Sequence, residues 1–253
     1  MLAAERQRRL LELARKNGTV RTTDLAADFN VTEETIRRDL DFLARLGHLR
    51  RTHGGAMDTV SSLSELSQSE RESRQLEEKI AIGREAATLV KEGETLLLDA
   101  STTALEFASQ LPSGMELRVV SYSLAVIERL ANREDVEVIQ LGGSYERRGR
   151  RFSGMQAEIA LRTLRVDRFF FSGGGYHPTL GIGEPNPDQA RFKRMMLEHS
   201  AWNCALIDHT KMGVTNDQFF AKPEDLNAMV CDQAAKPYAK KHFKNAPFEL
   251  HFR

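Results

Sequence analysis

The stretch Val31–Ala56 reads V-T-E-E-T-I-R-R-D-L-D-F-L-A-R-L-G-H-L-R-R-T-H-G-G-A, and the fold is read outward from it. Its spacing predicts a helix from Thr32 to Gly47, then a short basic ribbon. Thr32 supplies an N-cap hydroxyl for an orphan backbone N–H. Glu33 and Glu34 occupy the first turn, where the helix dipole favours negative charge. Ile36, Leu40 and Leu43 fall at i, i+4 and i+7 and share one buried face. Glu34, Arg38 and Arg45 point the other way, with Arg37 and Asp41 on the flank. Gly47 fits the left-handed position that closes a helix.

The preceding residues complete a unit. Thr22 is placed to cap a short helix, T-D-L-A-A-D-F, with Leu25, Ala26 and Phe29 inward. Asn30 suits a left-handed turn, and Val31 plugs that turn into the core. Two short helices joined by a tight turn, the second carrying outward arginines, describe a helix-turn-helix. An ordinary helical hairpin with a solvated charged face explains the same pattern. The ribbon favours the first reading, because Arg50, Arg51 and His53 beside the Gly54–Gly55 turn suit a wing lying on phosphates. Residues 5–17 form a first amphipathic helix with Leu10, Leu13 and Ala14 inward. Gly18 ends it, and Thr19–Arg21 add a short strand or turn.

The segments T-I-R-R-D-L and L-x-x-L-G-x-L-x-R-x-H-G-G-A, within residues 5–57, resemble the DeoR family of bacterial transcription regulators. The resemblance implies a winged helix-turn-helix whose T-I-R-R-D-L helix enters the major groove, with Thr35, Arg37 and Arg38 facing DNA. Helical geometry agrees for Arg38; Arg37 has an alternative partner in Asp41 at i+4. The candidate DNA-binding set is Thr32, Glu34, Thr35, Arg37, Arg38, Arg50, Arg51 and His53.

The whole chain has 253 residues, with 36 Lys and Arg against 36 Asp and Glu. The balance hides an asymmetry: residues 1–57 hold 11 basic and 8 acidic side chains, a net of +3, and the rest carries −3. A mildly basic head permits nucleic-acid binding. Cys204 and Cys231 sit in apolar runs and read as core residues, not as a disulfide or a metal site. No run reaches membrane-spanning length, and the N-terminus lacks the apolar core of a signal peptide. A cytoplasmic protein without metal or cofactor is expected.

Three parts follow: a DNA-binding domain over 1–57, a serine-rich polar linker over 58–75, helical in its second half, and a domain over 76–253. In the last, helix and strand alternate. T-L-L-L-D, L-R-V-V-S, V-E-V-I-Q-L, R-F-F-F-S, N-C-A-L-I-D, L-N-A-M-V-C-D and F-E-L-H-F are strands, with helices between them. Such alternation implies an α/β domain with a mostly parallel sheet.

Ligands bind beyond the carboxyl ends of such strands. Asp99, Ser101, Thr102 and Thr103 lie between a strand and a helix start, where hydroxyls and free N–H groups make an anion site; simple N-capping explains Ser101 or Thr102 as well. Ser121 and Ser123 follow the next strand. Gly142, Gly143 and Gly173–Gly175 permit close backbone approach to a ligand, although tight turns use glycine more often. Asp208 and Lys211 end another strand. Lys193, a solvated lysine if taken singly, joins the set.

Residues 76–233 also resemble the DeoR family in its effector domain. The carrying residues are the E-K-I-A run, L-D-A-S-T-T, V-V-S-Y-S-L-A-V, L-G-G, the D-x-x-F-x-S-x-x-G run at Asp167–Gly175 and D-H-T-K. The resemblance implies a sheet like those of ribose-phosphate isomerase and the CoA-transferases, a sugar-phosphate ligand and oligomers formed through this domain. Departures from the family pattern at Ser101, Tyr122, Gly183 and Gln189, with Pro185 and Pro187 in the same loop, fall on the side that reads the sugar. The effector set is Asp99, Ser101, Thr102, Thr103, Ser121, Ser123, Gly142, Gly173, Gly174, Lys193, Asp208 and Lys211.

The expected function is a DNA-binding repressor of a carbohydrate operon, released by a phosphorylated sugar and assembled as a dimer or tetramer. An activator would use the same domains. A sugar-phosphate isomerase tethered to DNA is the rival from another class, with Asp99, Asp208 and Lys211 as acid and base groups.

Overall fold

The computed structural model describes residues 3–17, 19–45, 49–52, 54–58 and 68–253. The chain divides into two units, Met1–Glu65 and Leu66–Arg253.

In the first unit, α1 (Ala3–Asn17), β1 (Thr19–Arg21), α2 (Thr22–Phe29) and α3 (Glu33–Arg45) precede the hairpin β2 (Leu49–Thr52) and β3 (Gly55–Asp58). β1 pairs antiparallel with β3 and completes a three-stranded sheet. Leu10 and Ala14 of α1, Leu25 of α2, and Ile36, Leu40 and Leu43 of α3 close one core with Val20, Leu49 and Ala56. Asn30 is left-handed at φ 50° and ends α2. Gly55 is demanded by packing, since a Cβ there would lie 2.0 Å from the Val20 carbonyl oxygen across the β1–β3 pair.

Two expectations change here. Thr22 does not cap α2. It is the helix's first residue; its backbone N–H donates to the Gly54 carbonyl at 2.9 Å and its hydroxyl is buried without a partner. Strand β1 runs straight into the helix, so the entry is tied by the wing. Arg37 pairs backward with Glu33 at 2.9 Å and Glu34 at 3.7 Å, while Asp41 takes Arg51 at 2.7 Å. A glutamate on the N-terminal side suits both the i,i+4 geometry and the dipole better than Asp41 does. Gly18, Gly47 and His53 lie outside the described residues.

The second unit opens with α4 (Gln68–Ser73), inside the segment read as linker, and α5 (Leu76–Ala87). Then come β4 (Thr95–Leu98), α6 (Thr102–Ser109), β5 (Leu117–Ser121), α7 (Leu124–Leu130) and β6 (Val136–Gln140). A hairpin, β7 (Ser144–Glu146) and β8 (Arg151–Ser153), leads to α8 (Met155–Arg162) and β9 (Val166–Phe171). β10 (Gly175–His177), β11 (Gly181–Glu184), α9 (Pro187–His199), β12 (Ser200–Ile207), β13 (Gln218–Ala221), β14 (Ala228–Cys231), α10 (Lys236–His242) and β15 (Glu249–Phe252) complete it.

Seven strands form one parallel sheet in the order β15-β14-β12-β9-β4-β5-β6. Side chains alternate across it, as strand geometry requires. Leu97, Val120, Phe169 and Phe171 enter the core under α8 and α9, while Leu96, Leu98, Val119 and Phe170 enter the core under α5, α6 and α7. The chain moves outward from β4 through β5 to β6, then returns to β9 on the other side of β4. The topological switch point therefore lies between β4 and β9, where such sheets open a crevice at the strand carboxyl ends. The β7–β8 hairpin and the antiparallel sheet β10-β11-β13 are additions to the expected alternation.

Candidate functional site

On the first unit, Thr32, Glu34, Thr35, Arg37 and Arg38 of the candidate DNA-binding set lie at the start and in the first half of α3. Thr32 accepts the Thr35 N–H at 3.3 Å and caps the helix, as the sequence predicts. The Arg38 side chain is 80 % exposed and, among the described residues, pairs with Glu34 at 3.3 Å. Arg51 is held inside the domain: besides Asp41, it donates to the Gly55 carbonyl at 2.6 Å. That contact braces β2 against α3 and orients the wing. Arg50 sits on β2 opposite Met57. Sequence reasoning passed over Asp39, the aspartate of T-I-R-R-D-L. It is 4 % exposed, pairs with Arg6 of α1 and accepts Gln7 Nε2 at 2.8 Å. Asp39 thus fixes the angle at which α3 leaves the core.

On the second unit, the switch point holds a buried ionic network. Asp99 ends β4 and is fully buried. One carboxylate oxygen accepts the Ser101 N–H at 3.1 Å and the Ser101 hydroxyl; the other accepts the Ser172 N–H at 3.2 Å. That second oxygen also pairs with Lys193 Nζ at 2.8 Å. Lys193, on α9, donates further to the Ser172 carbonyl at 2.8 Å and pairs with Glu184. The solvated reading of Lys193 is therefore wrong: it is 4 % exposed. Burial alone would lower the lysine's pKa, but Asp99 and Glu184 outweigh it and hold the ammonium above the usual range.

A second charged group adjoins the first. Lys211 Nζ donates to the Ser172 hydroxyl at 2.8 Å and lies 3.5 Å from Asp208. Burial works against the Asp208 carboxylate, but Lys211 and Thr210 hold its pKa below the ordinary value. Lys79, on α5, is 4 % exposed and caps the Arg71 and Arg74 carbonyls at the end of α4. Burial first, then the charge of Lys211, brings its pKa down to about 8. Arg71 adds to the same repulsion. Arg71, Lys79 and Lys211 against Asp208 and Glu106 leave one positive charge in excess, which an anion would relieve.

The α6 start follows Asp99 at the end of β4, and Ser172, bonded to both Asp99 and Lys211, links it to this group. Ser101 caps it, accepting the Ala104 N–H at 3.1 Å. The N–H groups of Thr102 and Thr103 fall in the first turn, which the helix cannot satisfy itself. Ser121 and Ser123 are spent on structure. Ser121 donates to the Leu98 carbonyl at 2.8 Å and accepts the Ser123 N–H at 3.1 Å, and Ser123 caps α7. Gly173 and Gly174 make room for the protein itself, since a Cβ would meet Ile182 Cγ2 at 2.3 Å and Asn216 Oδ1 at 2.7 Å. Gly143 likewise admits the Ser153 carbonyl of β8. Gly142, at φ +75° with open space at the Cβ position, still faces nothing.

Two further side chains, Tyr122 and Arg151, adjoin the Asp99–Lys193 network. Tyr122 is fully buried, its hydroxyl on Gln189 Oε1 at 3.1 Å and its ring edge-on to Phe192. Arg151 on β8 is 2 % exposed and pairs with Glu146 at 2.7 Å. Arg151 and Glu184 carry no motif signal; only the fold brings them here. Among the described residues no cluster of side chains suits a metal ion, and no helix is long and apolar enough to cross a membrane.

Comparison with known proteins follows the same division. Residues 6–61 match the DeoR-like helix-turn-helix domain, and residues 74–233 match the DeoR C-terminal sensor domain. An uncharacterised HTH-type transcriptional regulator of Bacillus subtilis is 37 % identical over 241 residues, covering 95 % of this chain and 93 % of that one. The transcriptional repressor AccR of Agrobacterium fabrum is 32 % identical, covering 92 % and 90 %. A lactose phosphotransferase system repressor of Staphylococcus aureus is 31 % identical, covering 90 % and 91 %. Among solved structures, similar chains include ribose 5-phosphate isomerase A of Methanocaldococcus jannaschii, with TM-score 0.39, 16 % identity and 53 % of each chain covered. The relatives are transcriptional regulators, not enzymes, and with both of its domains matched this chain belongs to the DeoR family of transcriptional regulators.

Proposed function

We propose that the protein is a repressor of a carbohydrate operon, bound to operator DNA through α3 and the wing and released by a phosphorylated sugar. The observation that carries the effector half is the cation group Arg71, Lys79 and Lys211 beside the α6 helix start. The phosphate takes the Thr102 and Thr103 N–H groups. Lys211 gives it a point charge and Asp208 takes a hydroxyl, while Asp99, both of whose oxygens are engaged inside the protein, holds the Ser101 turn at the start of α6. Lys193 positions Asp99 without touching the ligand. The repressor names of AccR and the lactose system regulator support the sign of regulation. A homo-oligomer in the cytoplasm fits the same reading, with Met155 and Ile159, 73 % and 57 % exposed and one turn apart on α8, available to a second copy.

The test is Lys211→Ala in the full chain. Calorimetry with sugar phosphates and operator release in a gel-shift assay are read on the same protein. Effector binding should be lost and operator binding kept, giving a repressor deaf to its signal. Normal effector affinity would remove Lys211 from the site.

A further inference from the structure

Helix α4 carries a feature that the sheet-end site leaves unexplained. Gln68, its first residue, is 1 % exposed, yet among the described residues neither its amide nitrogen nor its amide oxygen has a hydrogen-bond partner. One turn on, at i+3 and i+4, Arg71 Nε and Nη2 and Glu72 Oε1 are also buried and unpartnered. These three side chains share the inner face of α4. The helix packs on α6, where the fully buried Thr103 has an unpartnered hydroxyl beside the proposed phosphate turn. Native interiors pair nearly all such groups, so a concentration of exceptions calls for a reason.

The helix is not loosely placed. Its first N–H donates to the Arg148 carbonyl at 3.1 Å, at the turn of the β7–β8 hairpin. Its last carbonyls are capped by Lys79, whose charge is felt at Lys211 and Asp208. Both ends are thus fixed while the inner face keeps its polar atoms unsatisfied. Folding gains nothing from burying them; a ligand would.

The chemistry of those atoms specifies the ligand. An amide offers one acceptor oxygen and two donor hydrogens, a carboxylate accepts only, and a guanidinium donates only. Hydroxyl groups, which both give and take, match the first two, and an anionic oxygen matches the third. We propose that α4 is the polyol-reading wall of the effector site. Gln68 and Glu72 take adjacent hydroxyls of a phosphorylated polyol, while Arg71 and the Thr103 hydroxyl face its phosphate end. This rests on the effector reading above and adds the side chains that distinguish a sugar phosphate from phosphate alone.

The experiment compares full-length wild type with Gln68→Leu and Glu72→Leu. The probes are inorganic phosphate, glycerol 3-phosphate, ribose 5-phosphate and fructose 6-phosphate, titrated by calorimetry, with thermal unfolding of each free protein. Wild type should bind one of the three esters tighter than inorganic phosphate. Each variant should lose about ten-fold or more of that preference while its inorganic phosphate affinity changes less than about two-fold. The melting temperature of free Gln68→Leu should stay or rise, because an unsatisfied buried amide has been removed. An unchanged ester-to-phosphate ratio in both variants overturns the proposal and leaves the effector reading standing. A lowered melting temperature with parallel loss of phosphate and ester overturns it too, because Gln68 would then be structural. Wild type binding neither phosphate nor any ester overturns the effector reading itself, and this proposal with it.

Discussion

Lys193 shows how a single side chain changes meaning once its surroundings are known. It carries two carboxylates, Asp99 and Glu184, and the Ser172 carbonyl, all within an interior closed to water. Removing one member of a buried ionic group leaves the others charged and unpaired, which costs about 3–5 kcal/mol. Lys193→Met keeps the length and removes the charge, so it should lower the unfolding free energy of the second unit, measured in urea, by that order. A loss no larger than that of an exposed pair, about 1 kcal/mol or less, would show that the network is not the anchor described here. None of this was legible locally. Glu184 lies nine residues earlier, across the β11–α9 turn, and Asp99 arrives from another strand. The placing of Asp99, Thr102 and Lys211 just beyond strand ends was legible, because short apolar runs already mark where the strands stop.

At the scale of the element, α3 places an exposed arginine and a buried aspartate in adjacent positions. Arg38 points to solvent and, among the described residues, pairs with Glu34, and Asp39 is buried against Arg6 and Gln7 of α1. Arg38→Ala should therefore leave the unfolding transition in place and cost about 1–3 kcal/mol of discrimination between operator and altered sites. Asp39→Ala should do the reverse, destabilising the first unit by about 3 kcal/mol or more, so that all DNA binding weakens together. Gel shifts at matched salt, with hydrogen exchange on α1 and α3, separate the two; equal loss of discrimination in both variants would sink the assignment. The recognition helix was legible because a strong apolar period, a cap and a charge pattern all agree along its length. The parallel strands were legible for a like reason, as short apolar runs between helices. The sheet β10-β11-β13 was not, because β10 and β11 are strands of three or four residues rich in glycine, and β13, the strand that completes the sheet, comes from more than thirty residues further on.

At the scale of the molecule, a formal charge of zero conceals local excesses, and the one at Lys79 makes a pH dependence. Its ammonium is desolvated and repelled by Lys211, which brings its pKa down to about 8 from the ordinary lysine value of 10.5. A lysine pKa lowered by folding penalises the folded state while the group is protonated, so stability should rise as pH increases from about 8 toward 10.5. Binding a phosphate dianion reverses the local field and favours the protonated form. Proton uptake should therefore accompany effector binding near pH 8, and affinity should fall as pH rises through that value. A phosphate monoester keeps its second proton only below about pH 6, so the ligand's own titration lies outside this window. Calorimetry at pH 8 in two buffers of different ionisation enthalpy measures the uptake directly. Lys79→Met should bind more weakly and without uptake, while retaining the Lys211 contribution. Equal heats in the two buffers for the wild-type protein would place the effector phosphate away from Lys79, and with it away from the α4–α6 side of the crevice.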